Sequence, residues 1–367
     1  MRLTDLQLHN FRNYEELNLS FEPGVNLIVG NNAQGKTNLL EAISYLGSGK
    51  SFRAQKQAEM IRFGADFADI QGNVFAQNRE QELRYVLFSS SRPRQIWRNG
   101  AKKKSSGELA GVLPTVLFCP EDLMVLKTGA AARRRLGDHA LCELRPNYDA
   151  ALTEYNRLLD QKNRILKDHF DYPHMLDILP EYNTRLCQVG ALLISYRARF
   201  YDSLGKAAAG YHGQFSGGQE EFTLSYKTVS TVKDPFASVQ QLTDDLYAHQ
   251  ASHYRAEIES GQCLTGPHKD DFSVSLSGID LKAYGSQGQT RTAAISLKLA
   301  QRELMAREWG EEPVLLLDDV LSELDQGRQD FILNQIVSGQ VFITCCELGR
   351  FTKLGKTIEI EKGHLKI

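Results

Sequence analysis

Eight consecutive residues near the start of the chain, Gly30-Asn31-Asn32-Ala33-Gln34-Gly35-Lys36-Thr37, fit the pattern G-x-x-x-x-G-K-[ST] at every fixed position. The chemistry that needs this spacing is phosphate binding. Glycines let the backbone curl until successive N–H groups point at one anion, and a helix N-terminus behind them adds the positive end of its dipole. Lys36 is then placed to reach the β- and γ-phosphates of a nucleotide, and the Thr37 hydroxyl to coordinate Mg²⁺. The expected ligand is ATP, cradled by Gly30 through Thr37, with Lys36 also a catalytic candidate. The bland alternative is a chance match in a glycine-containing turn. Its context argues against that, because an apolar run, Val25–Val29, precedes it and a helical pattern follows.

A phosphate loop that supports hydrolysis needs a carboxylate at the end of a neighbouring buried strand. The run Val314-Leu315-Leu316-Leu317-Asp318-Asp319 supplies two. Asp318 is the candidate for the metal side, and Asp319 for polarising the attacking water. Upstream lies Tyr284-Gly285-Ser286-Gln287-Gly288-Gln289, followed by a helical stretch from Thr290 to about Glu308 that lacks Gly and Pro. Ser286, Gly288 and Gln289 at a helix start form a second anion-binding arrangement. On its own that motif is weak, since serine commonly begins helices; its place about 30 residues before the acidic strand makes it more specific.

The elements that must hold these residues show an α/β pattern. Apolar alternation marks strands from about residue 2 to 30, and a helix starts near Lys36, with Leu39, Leu40, Ile43 and Leu46 at helical spacing and Gly47 and Gly49 closing it. Strand patterns recur from about 66 to 118. The character changes near Pro120: residues from about 130 to 215 are helical in period and rich in Arg, Leu and Tyr, and another helix covers about 236–259. Strand signals return at 221–230 and 272–276. Val314–Leu317 reads as a buried parallel strand with Val341–Thr344 as its neighbour. An α/β unit is thus interrupted by a mostly helical insertion.

Composition sets bounds but names no function. The 367 residues suit one large or two medium domains. No apolar run of membrane-spanning length occurs, and Met1-Arg2-Leu3-Thr4-Asp5 does not read as a signal peptide. Six cysteines without a CxxC pair predict buried thiols in a reducing, cytoplasmic setting, not a disulfide scaffold or a zinc site. The net charge of −2 means that any nucleic acid must be met by a local basic patch. Two clusters are candidates: Arg92, Arg94, Arg98, Lys102, Lys103 and Lys104 around Trp97, and Arg133-Arg134-Arg135. Contacts of this kind would go to phosphates and be largely independent of sequence. Solvated loops and internal ion pairs are the competing readings. His268 and Asp271, beside Pro267, lack metal-ligand spacing and read as a packed turn.

Together, Gly30–Thr37, Ser286–Gln289, Asp318-Asp319 and Ser322-Glu323-Leu324-Asp325 resemble the Walker A, signature, Walker B and D-loop motifs of ABC-type ATPase heads. The resemblance implies a mixed sheet with flanking helices, and ATP sandwiched between two copies, with Ser286 acting in trans. The opening Asn10-Phe11-Arg12-Asn13-Tyr14 is similar to that of SMC-like repair ATPases, in which a basic residue at the Arg12 position contacts nucleotide. The roughly 280 residues between the Walker motifs are too few for a long coiled coil. With Ser51-Phe52-Arg53, Pro120-Glu121-Asp122-Leu123 and Gly266-Pro267-His268-Lys269-Asp270-Asp271 in order along the chain, the whole resembles the RecF family of bacterial recombination mediators.

That resemblance implies an ATPase lobe from residues 1–130 and 260–367, and an inserted helical lobe from 131–259. It also implies an ATP-dependent homodimer on single- or double-stranded DNA, slow DNA-stimulated hydrolysis, and work with RecO and RecR to load RecA onto gapped DNA. Two positions depart from the ABC pattern. Pro120-Glu121 stands where a Q-loop glutamine is usual, and Thr344 where a switch histidine is usual. Both put the sensing of the γ-phosphate in doubt. A transporter ATP-binding subunit is the competing class, against which the helical insertion, the Asn10–Tyr14 opening and the missing glutamine speak. An SMC-like ATPase that recruits an effector is a third.

Overall fold

A computed structural model describes residues 1–366 apart from Val337 and Leu348, and omits the side chains of Arg350 and Thr352. The chain begins with β1 (Arg2–Phe11), β2 (Tyr14–Ser20), β3 (Val25–Val29) and α1 (Lys36–Ser48). Next come β4 (Phe67–Ala76), β5 (Arg79–Phe88), β6 (Gln95–Arg98), β7 (Ala101–Lys103), β8 (Thr115–Phe118) and the short α2 (Pro120–Leu123). The helical stretch is α3 (Ala130–Leu144), α4 (Pro146–Asp168) and α5 (Leu179–Ser216). It is followed by β9 (Phe222–Lys227), α6 (Val239–Ser260), β10 (Asp271–Leu276), β11 (Ile279–Asp280) and α7 (Leu281–Tyr284). The chain ends with α8 (Gln287–Trp309), β12 (Val314–Leu317), α9 (Gln326–Gln335), β13 (Val341–Cys345), β14 (Gly355–Glu361) and β15 (His364–Leu365).

These elements form two compact units, Met1–Leu123 with Lys298–Ile367, and Met124–Leu297. The sequence expectation placed the divisions near 130 and 260; here the second division falls inside α8.

The first unit holds two six-stranded sheets, ordered β2-β1-β4-β5-β6-β7 and β15-β14-β3-β13-β12-β8. The first is antiparallel. Its strands bury one face, as their alternating pattern requires. A register shift between Leu3 and Asp5 lets Leu3 and Leu6 both enter the core despite their odd spacing. The second sheet is parallel except for β15. Its central strands are apolar on both faces, and β12 is buried throughout. Val341–Cys345 is the neighbour of Val314–Leu317, as its apolar run predicts, and β3 lies on its other side.

The register brings the C-terminal ends of β3, β13 and β12 to one edge, which places Gly30, Cys346 and Asp318 together. Loops at that edge are where ligands bind in open parallel sheets.

The second unit is built on the 38-residue α5, which packs against α4, α6 and the three-stranded sheet β11-β10-β9. Its interior is unusually ionic. Lys162 and Glu257 pair at 2.6 Å with both side chains buried, and Arg197 bonds both Asp138 and Asp270. Removing one member of such a pair leaves an unpaired buried charge. His268 and Asp271 sit in this packing: Tyr155 meets His268 Nδ1 at 2.7 Å, and Arg133 grips Asp271.

One reading of the helix ends changes. Gly47 does not close α1 but lies inside it, where a Cβ would stand 2.0 Å from the Leu113 carbonyl oxygen. Gly49 does the closing, with φ 66° and its N–H bonded to the Tyr45 carbonyl. Gly47 is therefore a close-approach glycine. Gly47→Ala is expected to destabilise the first unit by about 1–3 kcal/mol, the usual cost of overpacking, as measured by denaturant unfolding.

Candidate functional site

The loop between β3 and α1 makes few bonds of its own and is held from outside. Gly35 has φ 120°, and a Cβ there would lie 2.7 Å from Asn13 Nδ2 and 2.8 Å from the Tyr14 hydroxyl. Only glycine fits. Those two neighbours are also the clamps: Tyr14 Oη donates to the Gly35 carbonyl at 2.9 Å, and Asn13 Nδ2 to the Gln34 carbonyl at 2.9 Å. From the other end of the chain, the Gly363 N–H donates to the Gln34 carbonyl and the Lys362 N–H to Gln34 Oε1. Ala33 takes the left-handed conformation at φ 65°, and the Gly30 N–H bonds the Cys345 carbonyl. Strain of this kind in a non-glycine residue is held only by its surroundings.

Lys36 is buried with its ammonium folded onto the loop. Nζ donates to the carbonyls of Gly30 (2.7 Å) and Asn31 (3.3 Å), lies 3.6 Å from Cys346 Sγ, and is 4.0 Å from Asp319 Oδ2. Thr37 Oγ1 donates to Asp318 Oδ1 at 2.9 Å. Thr344 Oγ1 donates to the same oxygen at 3.0 Å and accepts the Asp319 N–H at 2.8 Å. The residue at the switch position thus ties the Asp318 carboxylate and the Asp319 backbone in place. Burial raises the Asp318 pKa above the usual carboxylate value, against the lowering effect of the Thr37 and Thr344 bonds. Asp319 adopts φ 50°. Its carbonyl accepts from Ser322 Oγ at 2.6 Å, and Asp325 caps α9 through the Arg328 N–H.

Beside this set is a cavity of about 330 Å³ lined by Asn32, Ala33, Gly35, Lys36, Thr37, Asn38, Arg53 and Asp319. Its size suits a nucleotide's phosphates and sugar. Two cations, Lys36 and Arg53, serve it. Arg53 Nη1 donates to Asn38 Oδ1 at 3.0 Å, and Asn38 Nδ2 to Asn13 Oδ1 at 2.8 Å. Arg12 is engaged elsewhere, with Nε and Nη2 on Glu41 at 2.8 and 2.7 Å, and Nη1 on the Glu59 carbonyl.

In the second unit Ser286 begins α8. Its hydroxyl accepts the Gln289 N–H at 3.2 Å, and Gln289 Oε1 accepts the Ser286 N–H at 3.0 Å. The two form a reciprocal capping box. Gly288 occupies the first turn of the same helix.

The basic clusters divide by strand geometry. Ile96 points into the core, so Arg94 and Arg98, two residues either side of it, share its face. Arg94 binds Tyr45 Oη, the Gly49 carbonyl and Ser106; Arg98 binds Gln81. Lys103 opposes Ile96 on that inner face, whereas Lys102 opposes Trp97. Arg92, lying over the Phe88 ring, and Lys102 and Lys104 are exposed. In the second cluster Arg133 is buried in a two-pronged pair with Asp271, Arg134 donates to the Asp270 carbonyl, and Arg135 is exposed.

Asn13, Tyr14, Asn38 and Arg53 stand in motifs of the sequence that do not reveal what they touch, and no motif marks Cys346. For Cys346 a signal existed, because it follows a parallel strand whose neighbour ends at Gly30.

Among the described residues no helix is long and apolar enough to cross a membrane. None of the six cysteines is in a disulfide, but only Cys187 and Cys263 are buried, and Cys346 is exposed, against the expectation of buried thiols.

Comparison with known proteins fits this architecture. The sequence profile described as "RecF/RecN/SMC N terminal domain" matches residues 2–366. At 16% identity and a TM-score of 0.58, an Smc head bound to the C-terminal winged helix domain of ScpA shares the fold over 100% of this chain and 96% of its own. The closer likenesses narrow the class. The DNA replication and repair protein RecF of Agathobacter rectalis is 39% identical, covering 100% of this chain and 99% of its own length; that of Clostridium acetobutylicum is 35% identical over 100% and 99%. A solved structure described as the recombination mediator protein RecF-ATP in the RecFOR pathway superposes with a TM-score of 0.90 at 33% identity, over 99% of this chain and 96% of that one. The chain belongs to the RecF family of DNA replication and repair proteins.

The contact between Cys346 and Lys36 makes a direct test of where nucleotide sits. Cys346 is exposed and its thiol donates to Asn32 Oδ1 at 3.1 Å. ATP in the cavity is expected to shield it from iodoacetamide. At ten times the Kd for ATP its alkylation should slow about tenfold, with half-buried Cys142 unchanged, by peptide mass spectrometry.

Proposed function

We propose that this chain is an ATP-dependent DNA-repair clamp of RecF type. The observation that carries the reading is the convergence of Lys36, Thr37 and Asp319 on one cavity under a clamped phosphate loop, with Asp318 bonded to Thr37 behind it. Loop N–H groups and Lys36 bind the β- and γ-phosphates, and Lys36 exchanges its carbonyl contacts for phosphate oxygens. Thr37 Oγ1 and Asp318 Oδ1, hard oxygen donors 2.9 Å apart, fit Mg²⁺ and would hold it. When bound, that ion offsets negative charge on the phosphates. Asp319, with its carboxylate in the cavity, orients and polarises the attacking water. Arg12 is paired with Glu41 of α1 and reaches nucleotide by rearranging from that pair.

Ser286, Gly288 and Gln289 close over the γ-phosphate bound by a second copy, so ATP binding is a dimerisation switch. The capping box supports this, since it presents Ser286 at the exposed N-terminus of a long helix. The dimer holds single- or double-stranded DNA through phosphate contacts. In the first unit the exposed cations Arg92, Lys102 and Lys104 are the candidates, and in the second Arg135. Slow, DNA-stimulated hydrolysis resets the clamp. The RecFOR context of the similar solved structures supports RecO and RecR as partners in assisting RecA loading at gaps in the cytoplasm.

Two measurements test the reading. Lys36→Met is expected to abolish ATP binding. Ser286→Ala should keep ATP affinity within about twofold while removing the ATP-dependent shift from monomer to dimer in gel filtration. A Ser286→Ala chain that still dimerises normally refutes the trans arrangement.

DNA affinity should fall with salt. Three phosphate contacts from Arg92, Lys102 and Lys104 of each copy, six in the dimer, correspond to a slope of log K against log[salt] of about −5.4 on duplex. Replacing all three by Ala should flatten it by that amount, and an unchanged slope would remove this surface from consideration.

A further inference from the structure

The capping box does not stand alone. Gln289 Nε2 donates at 2.8 Å to Glu220 Oε1, and the other carboxylate oxygen, Oε2, meets His212 Nε2 at 2.9 Å. Glu220 lies in the turn between α5 and β9; His212 lies on α5 itself, wholly buried against the Phe222 ring. All four residues belong to the second unit. The Gln289 bond, and then His212, hold the Glu220 carboxyl below its ordinary pKa, so it is a carboxylate at neutral pH.

The consequence is geometric. Gln289 has one amide side chain and uses both ends of it: Oε1 fixes the Ser286 N–H, and Nε2 is fixed by Glu220. An amide anchored at both ends has a single rotamer, so the Ser286 backbone and hydroxyl are oriented before any anion arrives. His212 does for Glu220 what Glu220 does for Gln289. A chain of three side chains thus runs from the buried face of α5 to the exposed serine.

We propose that Glu220, backed by His212, is a positioning residue that preorganises the Ser286–Gln289 turn for the γ-phosphate. The proposal rests on the trans reading of Ser286. Glu220 touches no phosphate; it acts by removing the rotational freedom of Gln289, so that less ordering remains to be done on closure. Its loss affects the step in which the turn engages nucleotide, not the step in which the phosphate loop binds it.

The experiment compares Glu220→Ala and Glu220→Gln in the full-length chain, using ATP affinity of the monomer and ATP-dependent dimerisation by sedimentation. Glu220→Ala is expected to bind ATP like the parent and to dimerise about tenfold more weakly, the effect of one charge-assisted hydrogen bond. Glu220→Gln, whose Oε1 still accepts from Gln289, should recover to within about threefold. Hydrogen exchange should rise at residues 286–289 in the alanine chain and nowhere else. If Glu220→Ala does not fold, Glu220→Asp, a carboxylate one methylene short of Gln289, takes its place with the same expectations. Normal dimerisation in the truncated variant, with Ser286→Ala defective, overturns the proposal while leaving the trans reading intact. Normal dimerisation in Ser286→Ala overturns both. A glutamine variant as defective as the alanine one also overturns it, because the bond to Gln289 would then be irrelevant.

Discussion

A loop that binds phosphate through its backbone must keep its N–H groups pointing inward without partners from regular structure. Such a loop cannot hold itself, because unpaired backbone groups favour either water or a ladder. Most of the first unit's arrangement follows from this constraint. Asn13 and Tyr14 clamp two of the loop's carbonyls from the β1–β2 turn, and the Lys362 and Gly363 amides reach Gln34 from the β14–β15 turn. Both ends of the chain are thus required at the same eight residues. The positive φ of Gly35 makes room for Asn13 and Tyr14. An antiparallel sheet that begins at Arg2 and a parallel sheet that receives β14 therefore belong to one phosphate site.

What could be read from the sequence was what is local. The phosphate loop, its flanking strand and helix, and the acidic strand each announce themselves within about ten residues, and their meeting follows from the rule that parallel strands share one functional edge. The partners of the loop were not legible, since nothing near Gln34 points to Gly363. The β6–β7 hairpin is not legible as a hairpin, because its second strand has three residues, two of them lysines, and the sequence offers only a basic cluster there. β14 was not anticipated, although Ile358 and Ile360 alternate in it; Gly355, Lys356 and Glu361 dilute the pattern. Among the cations, composition could not separate Arg94, Arg98 and Arg133, which pack inward, from Arg92, Lys102, Lys104 and Arg135, which do not.

The two departures from the ABC pattern have different structural weights. At the switch position Thr344 is fully used, donating to Asp318 and accepting from the Asp319 amide. It is too short to reach across the cavity as a histidine could, and it stiffens the acidic pair. At Pro120-Glu121 the strand end is closed by Asp122, which accepts from the Cys119 N–H and pairs with Lys298 of α8 at 3.0 Å. Lys298 also donates to the Leu117 carbonyl. The segment after β8 is therefore pinned to α8 by an ion pair, in the place where other heads carry a glutamine.

The same economy of groups governs the start of α8. In isolation S-x-G-Q is only a good way to begin a helix, and the structure realises it as such: Ser286 caps, and Gln289 returns the bond. That does not compete with a phosphate-facing role. A cap orients the serine hydroxyl and backbone along the helix axis, which is the geometry an anion at the N-terminus requires. What distinguishes a functional turn from an ordinary capping box is what fixes the box from behind. A capping box needs nothing beyond its glutamine or glutamate; here the amide continues into Glu220 and the buried His212. A polar chain that reaches a wholly buried histidine carries a desolvation cost that a mere helix start does not need. The preorganised Ser286 turn is the compensation that accounts for it.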